Sequence, residues 1–146
     1  MYNQSIMELI VNSARNILSS NEIPVCAAIA NGNEIISVSN NKVEGLNSAV
    51  MHAEYVVVTE SLKALKAKYL NESSVYITME PCAFCAACLE RVRIKNIFFG
   101  AYSVKTGAIY HGCKVFEHSI HKPNIIGGIM EKECSDILRL FFQKGV

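Results

Sequence analysis

The chain predicts an α/β domain whose mixed sheet, of about five strands, is covered by helices on both faces. Three observations carry this: an apolar hairpin near the start, helix-period segments alternating with strand-like runs after it, and a size that suits one core. At 146 residues, 51% of them hydrophobic, the chain can bury about two-thirds of its unfolded surface. No internal repeat, low-complexity tract or linker interrupts it, so one domain over residues 1–146 is expected.

The elements follow in order. Ile6, Leu9, Ile10, Ala14, Ile17 and Leu18 recur at three- and four-residue intervals between polar Asn12, Arg15 and Asn16, an amphipathic first helix. An apolar run from Val25 to Ala30, the pair Asn31-Gly32, and a second run from Ile35 to Val38 read as an antiparallel hairpin, because both turn residues tolerate positive φ. The segment from His52 to Tyr69 contains β-branched Val56-Val57-Val58. It is nevertheless too long for an ordinary strand and keeps a stripe of Val58, Leu62, Leu65 and Tyr69, so it reads as helix.

Val75 to Met79 is a strand; Pro81 then suits the first turn of a helix running through Ala86, Leu89 and Val92. Ile97 to Ala101 is the next strand. Beyond Lys105-Thr106-Gly107 the pattern weakens, with a short strand expected around Cys113 to Phe116 and a loop through Lys122-Pro123-Asn124. Met130, Cys134, Ile137, Leu138 and Phe141 mark one face of a final helix.

Composition narrows the function classes. No apolar run approaches the roughly 18 residues of a membrane span, and the start lacks the basic cluster and apolar stretch of a secretory signal. A cytoplasmic chain without membrane contact is expected. Six cysteines in a reducing compartment point away from a disulfide framework and toward metal binding or catalysis for those that cluster, namely Cys82, Cys85 and Cys88. The net charge of +1 conceals an asymmetry: 5 Lys/Arg against 9 Asp/Glu through residue 90, then 9 against 4 from Arg91 onward. A basic second half fits a nucleic-acid surface and fits solvated helix faces equally well.

The chemistry-bearing residues sit in two short clusters, each opening a predicted helix: His52-Ala53-Glu54 and Pro81-Cys82-Ala83-Phe84-Cys85. One imidazole and two thiolates are ligands zinc prefers, and a catalytic zinc takes three protein ligands and keeps a fourth position for water. The two-residue gap between Cys82 and Cys85 lets both sulfurs reach one ion from a single turn, where the helix dipole favours thiolates. Glu54, two residues past His52, points elsewhere and is placed to move protons instead of binding metal. Zinc lowers the pKa of its water to about 7, so the set is suited to hydrolysis at neutral pH.

This H-x-E and P-C-x-x-C spacing is that of the zinc deaminases, and the chain resembles the bacterial tRNA-specific adenosine deaminases of the cytidine/deoxycytidylate deaminase superfamily. The likeness extends to Pro24-Val25, Asn41 eleven residues before His52, Met79-Glu80-Pro81-Cys82, Phe99-Gly100-Ala101, Lys105-Thr106-Gly107-Ala108, Glu133-Cys134 and Phe141-Phe142. The resemblance implies a three-layer α/β/α, cytidine-deaminase-like fold, one zinc per chain on His52, Cys82 and Cys85, Glu54 as proton shuttle, and Asn41 as a residue holding the target base. It further implies a tRNA anticodon stem-loop as substrate, conversion of adenosine to inosine at the wobble position by zinc-activated hydroxide, and a homodimer that builds the RNA site across the subunit boundary.

The chain departs from that pattern where it has Tyr102 in place of a basic residue, Ser103 in place of an acidic one, and Ile109-Tyr110-His111 in place of small residues. Cys88, one turn beyond Cys85, is a candidate fourth ligand for a closed structural site, although core packing explains it better. The same signature serves deaminases of free bases and nucleosides such as guanine or cytosine, and a non-catalytic RNA-binding zinc subunit would keep the ligands but lose Glu54. His111, His118 and His121 are irregularly spaced and receive no role. Phe141 and Phe142 read as core, with one of them a candidate RNA contact beside Arg139 and Lys144.

Overall fold

Five strands form one sheet in the order β2-β1-β3-β4-β5. In this computed structural model, which describes residues 1–144, the elements are α1 (Gln4–Asn16), β1 (Cys26–Asn31), β2 (Glu34–Asn40), α2 (Ala53–Leu65), β3 (Ser74–Met79), α3 (Ala83–Arg91), β4 (Asn96–Ala101), β5 (Asn124–Ile126) and α4 (Glu131–Lys144). Gly145 and Val146, the last two residues of the expected 1–146 domain, lie outside the described residues.

The sheet is mixed because of its connections. The β1–β2 hairpin and the β1–β3 pair are antiparallel, whereas β3–β4 and β4–β5 are parallel, each with a crossover between them. Ala28, Tyr76 and Phe98 are matched in register across β1, β3 and β4 and point to one face, packing with Ile6, Met7, Ile10 and Ile137 of α1 and α4. Their neighbours Ile29, Val75, Ile77 and Phe99 point to the other, against Val57 of α2 and Leu89 of α3. Every residue of β4 is buried, as expected of a strand covered on both sides. The result is the expected three-layer α/β/α arrangement.

Several boundaries differ from the sequence reading. The hairpin turn is Gly32-Asn33, one residue later than expected, with Asn31 paired to Glu34 and positive φ at Gly32 alone. Of the two turn positions only the first needs the glycine conformation, which is the type II′ pattern. On α1, Met7 and Val11 are buried while Leu9 is exposed. On α2 the buried face is Ala53, Glu54, Val56, Val57, Val58 and Ser61; the helix stops at Leu65, with Lys66 in the left-handed region, so Tyr69 lies beyond it. Cys82 is the N-cap of α3, so Pro81 precedes that helix instead of opening it.

The expected strand around Cys113 to Phe116 is absent: Lys114 takes a positive φ and Val115–Glu117 forms a short 3-10 helix. The fifth strand lies instead at Asn124–Ile126, starting at the last residue of the expected loop and paired in parallel with β4. Among the described residues no helix is long and apolar enough to cross a membrane.

The sheet orientation determines where chemistry can occur. Because β1 runs against β3, the start of β1 and the end of β2 lie beside the carboxyl ends of β3 and β4; Cys26 pairs with Asn40, and Met79 with Ala101. Residues just past those ends converge on one edge, where open α/β sheets bind ligands. Gly100, near the end of β4, keeps α4 close. A Cβ there would overlap the Cys134 sulfur and meet the Thr78 carbonyl oxygen at 2.8 Å. Gly100→Ala is therefore expected to lower the unfolding free energy by about 1–3 kcal/mol in urea titration, with partial recovery in Gly100→Ala/Cys134→Ala. An unchanged midpoint would show that this contact does not hold the helix.

Candidate active site

Two helix N-termini meet at that edge. His52 and Cys82 are N-caps of α2 and α3, both with extended backbone, and Cys85 lies in the first turn of α3. The ring nitrogen Nδ1 of His52 stands 3.6 Å from the Cys82 sulfur and 3.5 Å from the Cys85 sulfur, and all three donor atoms lie within 4.8 Å of one another. A zinc tetrahedron with sulfur at about 2.3 Å and nitrogen at about 2.0–2.1 Å has S···N edges of about 3.6 Å, so the spacing fits that ion.

The electrostatics fit as well. Hydrogen bonding from the Cys85 thiol, with help from the Cys85 and Phe84 backbone N–H groups, brings the Cys82 thiol down to about 5 despite its burial. The same pairing, and then burial, push the Cys85 thiol upward. One negative charge is welcome at this helix terminus and a second needs a cation. Among the described residues no other His, Cys, Asp or Glu donor joins the cluster. Cys88, half-buried one turn further along α3, stays outside it, so the geometry offers three protein ligands and not four.

Glu54 and Asn41 share a cavity of ≈ 680 Å³ with His52 and Cys82, a volume within the ordinary range for ligand sites. Glu54 is only 5% exposed. Burial pushes its carboxyl up to about 7, partly offset by its backbone hydrogen bond and by His52, which suits a group that both takes and gives a proton near neutral pH. The Oδ1 atom of Asn41 accepts the Ala53 N–H at 2.8 Å, tying the β2 exit to the start of α2. Its amide NH2 is left to donate into the cavity.

The sequence reading missed Glu80. Its side chain is fully buried and ties down the loop after β4: Oε1 accepts from the Ser103 N–H (3.0 Å) and from His111 Nδ1 (2.8 Å), and Oε2 accepts from the N–H groups of Ile109, Tyr110 and His111 at 2.8–3.2 Å. The loop also pairs back on the donor-bearing segment, since Ala108 N–H donates to the Pro81 carbonyl at 2.9 Å. Gly107 is required there because a Cβ would run into the Glu80 carboxyl group. This gives Gly107 of the Lys105-Thr106-Gly107 run a structural reason. The available signal was a carboxylate closing an apolar strand directly before Pro81-Cys82.

Two other expectations change. His111, given no role, bonds Glu80; Ser103 is buried at the cavity wall, its hydroxyl 2.8 Å from that of Thr106. On α4, Phe142 lines the cavity while Phe141 carries Lys144 over its ring at 4.8 Å. His118 and His121 join no metal cluster among the described residues.

The model of the cytidine and deoxycytidylate deaminase zinc-binding region matches residues 1–101. A tRNA-specific adenosine deaminase of Rickettsia typhi is 35% identical over 142 residues, covering 94% of this chain and 96% of that protein. A chain solved in a study of A-to-I editing by tRNA:A34 deaminases at the wobble position of tRNA superposes with a TM-score of 0.89 at 31% identity, covering 92% of this chain and 99% of that one. A guanine deaminase from Nitrosomonas europaea shares the fold, with a TM-score of 0.81 at 14% identity, over 92% of this chain and 81% of that one.

Burial raises the Glu80 carboxyl and the hydrogen bonds from Ser103, His111, Tyr110 and Ile109 outweigh it, so the group sits below its ordinary value of 4.5. A depressed carboxyl stabilises the fold above its unfolded pKa and loses that contribution as pH falls through the folded one. Glu80→Gln, which turns an amide NH2 toward these donors, is expected to cost about 3 kcal/mol. The gap between the two proteins' urea midpoints should be widest above about pH 5 and narrow on acidification. A gap that grows on acidification would contradict this assignment.

Proposed function

The chain belongs to the cytidine and deoxycytidylate deaminase family, and on that premise we propose that, as one domain over residues 1–146, it hydrolyses the exocyclic amine of adenosine at the wobble position of a tRNA anticodon. The single observation that carries the chemistry is the convergence of three zinc-type donors beside a buried carboxylate in one cavity. The adenosine and tRNA assignment draws its support from the Rickettsia typhi relative, similar along nearly its whole length. The likeness to guanine deaminase, at 14% identity, speaks for fold alone. A cytoplasmic site of action accompanies that substrate.

In this reading His52, Cys82 and Cys85 hold one zinc. When bound, zinc supplies Lewis acidity that makes water a nucleophile at neutral pH. Hydrolysis forms a C–O bond at C6 of the purine and breaks the C–N bond, releasing ammonia and leaving inosine. Glu54 accepts a first proton from water and delivers it to the ring nitrogen beside C6, then accepts the second from the new C6 hydroxyl group and delivers it to the leaving amine, so that the carboxylate is regenerated; a carboxyl group poised near pH 7 suits each transfer. The Asn41 amide, fixed through its Oδ1 bond to Ala53, orients the base by donating to it. The chain works as a homodimer in this account, and Val50 and Phe84, both exposed near His52, supply apolar surface for the contact.

Zinc-loaded protein should release ammonia from an anticodon stem-loop with adenosine at the wobble position and leave guanine, cytosine and cytidine unchanged. Turnover of the free bases alone would overturn the substrate assignment. Glu54→Ala should retain about one zinc per chain while turnover falls by at least 10²-fold; an active variant would remove Glu54 from the mechanism. Cys88→Ala should bind zinc with wild-type stoichiometry, and loss of the metal there would indicate a closed four-ligand site.

A further inference from the structure

The loop after β4 carries an aromatic cluster that the deamination chemistry does not use. Tyr102 lines the cavity with Asn41 and Glu54 and remains 42% exposed. It is not a loose surface side chain. Its ring meets Phe99 edge-on, centroids 5.2 Å apart at 88°, and lies 5.9 Å from Tyr110 and 6.3 Å from His111. Gly128, at φ +80°, lets the chain pass close to the phenol, where a Cβ would come within 3.3 Å of the hydroxyl oxygen. The next residue, Ser103, is held by Glu80, so the backbone beneath the ring is fixed too.

The cavity's charge makes this ring matter. Among the described residues that line it, Lys105 is the one lysine and there is no arginine, and the carboxylate of Glu80 is occupied by its own loop. Phosphate pairing inside the cavity is therefore sparse, whereas Ile23, Val104 and Phe142 join Tyr102 in giving it apolar walls. A rigid aromatic ring binds at low entropic cost, and every base presents a π face to it. A target adenine that reaches the donor cluster must leave its stack, which frees a neighbouring base to find a new partner.

We propose that Tyr102, braced by Phe99 and Tyr110, is a specificity-determining residue that stacks a nucleobase adjoining the target adenosine. The inference rests on the RNA reading above and deepens it. The ring takes up the base left unstacked when the target enters the cavity.

The test uses zinc-loaded full-length protein and anticodon stem-loops carrying, on either side of the target adenosine, a normal nucleotide, an abasic site or fluorescent 2-aminopurine. Tyr102→Ala should raise KM roughly 5- to 100-fold with kcat within about twofold, and Tyr102→Phe should behave as wild type. Wild type should lose affinity when one neighbouring position is abasic, and Tyr102→Ala should lose nothing further from that change. Aminopurine at the same position should be quenched by wild type and Tyr102→Phe but not by Tyr102→Leu, which keeps apolar bulk if the alanine variant folds poorly. Equal abasic penalties in wild type, Tyr102→Ala and Tyr102→Leu would overturn the stacking role while leaving the tRNA reading intact. A wild-type protein inactive on every stem-loop but active on free bases would overturn both.

Discussion

The chemistry of this molecule depends on two helix N-termini, those of α2 and α3, arriving at one point on the carboxyl edge of the sheet. His52 and Cys82 occupy the two N-caps, so each presents its side chain where unpaired backbone N–H groups favour negative charge. A metal cradle assembled from two sequence-distant helices is only as accurate as the scaffold that holds them. That scaffold is the register between β3 and β4, together with the Asn41 to Ala53 bond that sets the start of α2.

Glu80 extends the same logic to the far side of the cavity. A buried carboxylate would ordinarily be costly, but four backbone donors and a histidine satisfy it, and it converts residues 103–111 into a fixed wall. Gly107 allows the wall to approach, and Pro81 receives the Ala108 N–H at the threshold of α3. Loop, metal donors and the Tyr102 ring are thus mechanically linked through one residue that touches none of the reacting atoms.

Much of this was legible in the sequence. The grouping of His52, Cys82 and Cys85, with Glu54 in the same cavity, is legible because zinc chemistry limits both ligand type and spacing; α2 is legible despite its three valines because the segment is too long for an ordinary strand, although the expected stripe ran past the helix end to Tyr69 and the buried face lies elsewhere. What failed to show was non-local. Asn124–Ile126 is three residues long and follows a proline, too short for any period, and it is a strand because β4 offers it an edge. Val115 and Phe116 look strand-like, yet the left-handed Lys114 turns them into a 3-10 helix. Glu80 and His111 meet across thirty-one residues, and no local pattern encodes that contact.

Everything described turns on a zinc site with three protein ligands and a position left for water. X-ray absorption at the zinc edge of the loaded wild-type protein tests it most directly. Two sulfur scatterers at about 2.3 Å and two nitrogen or oxygen scatterers at about 2.0–2.1 Å are expected. A shell with three sulfurs, or one filled entirely by protein donors, would contradict it.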